Sequence, residues 1–145
     1  MNLSEHVTLK EFESSDTATR HGINNEMSPS QTQSAILLCQ NVFEPLRSYL
    51  GTPINISSGF RCLQVNKLIG GSKTSQHSKG EAMDIKIGAK GFNFIKDTLD
   101  FDQLIWEFGT SEQPQWVHVS YKKSGNRKQV LRATKRNGKT NYSSY

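Results

Sequence analysis

From Ser28 to Leu50 the apolar residues Ala35, Ile36, Leu38, Val42, Phe43 and Leu46 recur at the spacing that places side chains on one face of an α-helix. Ser28-Pro29 precedes them, a capping hydroxyl followed by a proline in the first turn, so the pattern predicts the main helix here. The period then changes. Ile54 to Ser58 alternates apolar and polar and ends at Gly59, as a half-buried strand does. Ala82 to Ile87 alternates more cleanly, with Met83, Ile85 and Ile87 on one face and Asp84 on the other. Phe101–Glu107 and Trp116–Tyr121 read as two further strands joined by the polar loop Gly109–Gln115, which suggests an antiparallel hairpin. Shorter helical pieces are expected at Thr8–Phe12, Thr17–Arg20, Val65–Ile69 and Phe92–Leu99, with a turn at Gly22 to Asn25. The polar stretch Ser72–Ser78 is expected to be a loop, which puts His77 on it. These elements imply an α+β fold. Its small antiparallel sheet contains Ile54–Ser58, Ala82–Ile87, Leu104–Glu107 and Trp116–Tyr121. Helices pack on one face, chiefly Ser28–Leu50, and Asp84 looks out from the other.

A chain of 145 residues can bury one core without disulfide staples, and no internal repeat divides it. Residues 1–121 are expected to form the single domain. The formal charge of +5 is concentrated in residues 122–139, which hold eight lysines and arginines and no acid. Residues 122–145 are therefore read as a basic C-terminal extension, its last ten residues disordered, with Gln129–Ala133 as an optional edge strand. Such charge suits nucleic acid, teichoic acid or an acidic membrane surface equally. Nucleic acid is disfavoured because the stretch lacks interleaved aromatics and a groove-reading helix. Cys39 and Cys62 form no CxxC pair and are read as free thiols in a reducing compartment. No signal peptide or membrane span is visible, and a monomer is expected in the absence of coiled-coil or long apolar edge patterns.

The densest chemistry lies in Ser75-Gln76-His77-Ser78-Lys79-Gly80-Glu81-Ala82-Met83-Asp84, followed by Trp116-Val117-His118-Val119. Two imidazoles and one carboxylate are a zinc donor set rather than a magnesium or calcium one, and three protein ligands leave a fourth position open, as catalytic zinc requires. Gly80 lets the loop turn back between His77 and Asp84, and Ala82 leaves room beside them. Singly, His77 could be an exposed loop histidine, Asp84 a solvated strand carboxylate and His118 a hydrogen-bonded core histidine; the weight lies on the combined pattern. His6 and His21 have no comparable context and are read as structural.

Together with Ser57-Ser58-Gly59-Phe60-Arg61 and Gly70-Gly71-Ser72, these segments resemble the zinc D-Ala-D-Ala carboxypeptidase family, relatives of which include phage L-alanyl-D-glutamate endolysins and the hedgehog signalling domain. The resemblance runs from about Leu9 to Tyr121 and implies a hedgehog/DD-peptidase-like fold. It also implies that His77, Asp84 and His118 bind zinc, that Arg61 engages substrate, and that Ser75 contacts substrate or holds the loop. Several family members carry an acid three residues before the last histidine, where this chain has Gln115, which cannot accept a proton. Glu107 is the expected general base instead, since Phe101–Glu107 is similar to the hedgehog strand that ends in a zinc-site glutamate. Glu112 is the second candidate, and Glu81 is expected to face solvent. The implied activity is zinc-dependent hydrolysis of a peptidoglycan stem-peptide amide, by a carboxypeptidase or an endopeptidase. The protein would be made in the cytoplasm and act on the bacterial cell wall as a phage lysis or particle protein. The alternative is a non-catalytic zinc-binding module on the same fold.

Overall fold

The computed structural model describes every residue from Met1 to Tyr145. A short β1–β2 pair (Asn2–Ser4, Val7–Thr8) leads into α1 (Leu9–Glu13) and α2 (Asp16–His21). The main helical segment follows as expected, with Ser28 and Gln31 forming a reciprocal capping box. It is not one regular helix. Between α3 (Pro29–Leu38) and α4 (Glu44–Leu50) lies a π-helical turn, Cys39–Phe43. Pro45 has no N–H to give to residue 41, and its ring would collide with that carbonyl in a regular α-helix; the wider turn removes the conflict. The buried face runs through the bulge as Leu38, Cys39, Val42, Phe43 and Leu46.

All four expected strands form, as β3 (Asn55–Ser58), β4 (Ala82–Lys86), β5 (Gln103–Glu107) and β6 (Trp116–Ser120), with α5 (Leu63–Leu68) and α6 (Gly88–Thr98) between them. The sheet differs from expectation in being six-stranded and mixed, in the order β3-β4-β6-β5-β7-β8. The extra strands, β7 (Gln129–Arg136) and β8 (Lys139–Ser144), come from the basic stretch that was expected to be a partly disordered extension. After β6 the chain passes the start of β5, where the Lys128 and Gln129 N–H groups donate to the Phe101 and Asp102 carbonyls, and β7 then runs parallel to β5. Asn137 and Gly138, both at positive φ (53° and 76°), turn β7 back into β8, the geometry Asn-Gly adopts in a two-residue hairpin. Tyr145 at the end packs on Phe92 and Trp106, and Arg132 lies over the Trp106 ring. These contacts order residues whose charge alone suggested disorder.

Alternation assigns the two sheet faces. Met83 and Ile85, Leu104 and Trp106, and Val117 and Val119 join the helical residues in one buried cluster. Asp84, Glu107 and His118 project from the opposite side of β4, β5 and β6.

Candidate metal centre

Two devices fix the loop that carries His77. The Ser75 hydroxyl accepts the His77 N–H at 3.2 Å and caps a single 3-10 turn, Gln76–Lys79. Gly80 closes that turn at φ 75°, and a Cβ there would collide with the Gln31 carbonyl, so glycine is required both for conformation and for space. The chain then enters β4, where Asp84 lies directly opposite His118 of β6. His77 Nε2 and His118 Nδ1 stand 3.3 Å and 3.2 Å from the same Asp84 Oδ1. All three ligand atoms lie within 4.8 Å of one another. Tetrahedral zinc with bonds of 2.0–2.1 Å separates its ligands by about 3.3 Å, so this donor set fits that ion in both chemistry and spacing.

The surroundings prepare each donor. His77 Nδ1 lies 2.8 Å from the Gly59 carbonyl. A carbonyl only accepts, so Nδ1 carries the proton and Nε2 presents its lone pair to the centre. Gly59 itself sits against the Phe12 backbone carbonyl, where a Cβ has no room. Burial by itself would raise the Asp84 pKa; whenever the neighbouring imidazoles carry protons on the nitrogens that face it, their charge and hydrogen bonds pull it below the ordinary carboxylate value, an attraction that a cation on the same atoms replaces. The remaining nitrogen of His118, Nε2, lies 3.2 Å from Gln76 Oε1.

Glu107, at the end of β5, is only 7% exposed and shares the face of Asp84 and His118. Burial pushes its carboxyl up to about 7; His118 pulls the other way and the Asp84 charge adds to the rise. Gln115 is exposed, and its N–H donates to the Glu107 carbonyl across the hairpin. Glu112 is exposed on the loop beyond. Glu81, expected to face solvent, is half-buried with a pKa raised by burial, because its flanking backbone is pinned to Gln76 and Tyr121.

Arg61 follows β3, and its N–H donates to the His77 carbonyl at 3.3 Å. Burial lowers the guanidinium pKa and the Asp84 charge opposes that shift, while Nε is buried without a hydrogen-bond partner. The residue lines a cleft of about 370 Å³ together with Ser57, Ser58 and Asp16. The structure thus brings Arg61, Ser75, His77, Asp84, Glu107 and His118 into one neighbourhood and leaves Glu112 outside. His6 Nδ1 lies 2.7 Å from Glu44 Oε1, and with Glu5 these two make a second, more exposed grouping of metal-type donors away from the centre.

Sequence reasoning missed Tyr142. In β8 it lies opposite Ala133, which lies opposite Glu107, so all three share a face. The residue is 58% exposed, and its partial burial and then the charges of Glu107 and Asp84 raise its phenol pKa. The available signal was Asn137-Gly138, which marks the hairpin that carries it.

The family model described as Peptidase M15 matches residues 5–120. No curated protein matches the chain.

Proposed function

This chain belongs to the peptidase M15 family of zinc-dependent peptidases, and we propose from that premise that it hydrolyses an amide bond of the peptidoglycan stem peptide. The observation that carries the proposal is the convergence of His77 Nε2, Asp84 Oδ1 and His118 Nδ1 at separations suited to tetrahedral zinc. His77, Asp84 and His118 would hold zinc, which would supply a Lewis acid for the scissile carbonyl and lower the pKa of the attacking water. Glu107 accepts the proton of the attacking water on its carboxylate and passes it to the leaving amine; a carboxyl poised near neutrality suits both transfers. Arg61 supplies a fixed positive charge for a stem-peptide carboxylate or for the charge that develops on the carbonyl oxygen. Ser75 keeps His77 in place. The basic β7–β8 hairpin is compatible with an anionic cell wall. No helix is long and apolar enough to cross a membrane.

The rival reading, a non-catalytic zinc module, drew its support from Gln115. A buried carboxylate on the zinc face at Glu107 favours catalysis instead. Mass spectrometry after incubating zinc-loaded protein with intact murein and with a soluble pentapeptide stem tests the activity. Loss of a terminal D-alanine identifies a carboxypeptidase, and a cut after L-alanine an endopeptidase. With zinc content verified, no cleavage of either substrate returns the protein to the binding-module reading. His77→Ala is expected to abolish cleavage and strip zinc; unchanged activity in that variant sinks the site.

A further inference from the structure

The two histidines are oriented by different means. His77 is set directly by a backbone carbonyl. His118 depends on a side chain, Gln76, whose amide could in principle present either its oxygen or its NH2. The other end of that amide removes the choice. Gln76 Nε2 lies 2.8 Å from Asp102 Oδ2, and an ionised carboxylate can only accept, so the NH2 faces Asp102 and the oxygen faces His118. His118 Nδ1 faces Asp84 Oδ1 at 3.2 Å, so each ring nitrogen has an acceptor; once a cation takes up Asp84, the oxygen 3.2 Å from Nε2 keeps the ring proton there and leaves the Nδ1 lone pair for the metal.

Asp102 is held as firmly. Its side chain is fully buried, and it accepts hydrogen bonds from Arg127 Nε at 3.0 Å, Arg127 Nη2 at 2.8 Å and the Arg127 backbone N–H at 3.1 Å. Lys122 Nζ stands 3.8 Å away. Both cations belong to the crossing that leads from β6 into β7, so the hydrogen-bonded series runs from the C-terminal segment, through Asp102 and Gln76, to His118.

We propose that Gln76, oriented by the Asp102–Arg127 pair, is the positioning residue that fixes His118 as an Nδ1 metal ligand, and that the segment after Tyr121 thereby contributes to metal affinity. The proposal rests on the zinc reading of His77, Asp84 and His118 and adds the residues that prepare one of those ligands.

The test measures two things: the histidine ring nitrogens by long-range proton–nitrogen correlation in mildly alkaline buffer, with and without zinc, and zinc affinity by chelator competition. Wild-type His118 is expected to carry its proton on Nε2 in the zinc-bound state. Gln76→Ala is expected to shift His118 towards the Nδ1–H form in the metal-free protein, where only Asp84 is left to accept, and to weaken zinc by about 10–100-fold. Gln76→Glu alone sets a carboxylate against Asp102 and is also expected to bind zinc weakly. Gln76→Met, which keeps most of the side chain's volume but offers no acceptor, is expected to weaken zinc as Gln76→Ala does, an outcome that a merely space-filling role does not produce. Unaltered ring signals and zinc affinity in Gln76→Ala, with zinc lost in His77→Ala, would overturn the inference and leave the metal site standing. Undiminished zinc binding in His77→Ala would overturn the site and the inference together.

Discussion

At the scale of single residues, burial moves individual carboxyls and thiols away from their ordinary behaviour. Glu107 is the clearest case, with its carboxyl pushed up to about 7. Glu107→Gln keeps the shape, removes the base and leaves the three ligands alone. It is expected to lower kcat/KM by about 10²–10⁴-fold with zinc content unchanged, which metal analysis beside steady-state kinetics would check. The sign of the pH dependence follows. Glu107 works as the carboxylate, so kcat/KM rises with pH through its pKa. A neighbouring dication stabilises that carboxylate, so the rise is expected at or below about pH 7 and absent from the residual activity of Glu107→Gln. The cysteines differ in the same way. Burial pushes the Cys39 thiol up to about 12, with the charges of Glu44 and Glu11 adding and a hydrogen bond from Ser4 opposing, while Cys62 is only half-buried. One thiol per chain is expected to react readily with a disulfide reagent in native buffer and two in denaturant; two fast native reactions would contradict the buried Cys39.

At the scale of elements, the strands that hold the centre follow local alternation closely. Asp84 and His118 fall opposite one another and on the same face, since a period-two pattern with one buried face excludes one-residue slips of register. The main helix departs from its pattern only at the π-turn before Pro45, whose proline was visible while the form of the distortion was not. The C-terminal hairpin is the larger departure. Its charge density pointed to a solvated tail, yet Asn137-Gly138 and the aromatic end Tyr145 build two strands onto β5. Because Gly138 holds φ 76°, Gly138→Val is expected to destabilise the fold by about 1–2 kcal/mol, seen as a lower denaturation midpoint. An unchanged midpoint would show that the hairpin adds little to global stability.

At the scale of the whole molecule, Asp102 joins elements that sequence reading kept apart. Burial alone would raise its pKa, but the hydrogen bonds from Arg127 and Gln76 and the Arg127 charge hold it at about 2, against an ordinary 3.8. A depressed carboxylate pKa stabilises the fold above the unfolded value, and that contribution is lost as pH falls towards the folded one. Stability on the order of 2 kcal/mol is therefore expected to disappear between about pH 4 and pH 2. Denaturant midpoints across that window, compared with those of Asp102→Asn, would check it; equal slopes for the two proteins would show that Asp102 is not the group responsible. The sequence by itself determined the α+β class and the four central strands, because periodicity acts over a few residues, and it offered the zinc-type donor set as a motif; Glu107 as the base came from the resemblance of its strand to a hedgehog one. Only the tertiary structure decided the parallel β7, the order of the C-terminal hairpin and the route from Arg127 through Asp102 and Gln76 to His118. Those depend on which distant backbone groups meet across the sheet, and no local pattern encodes such a meeting.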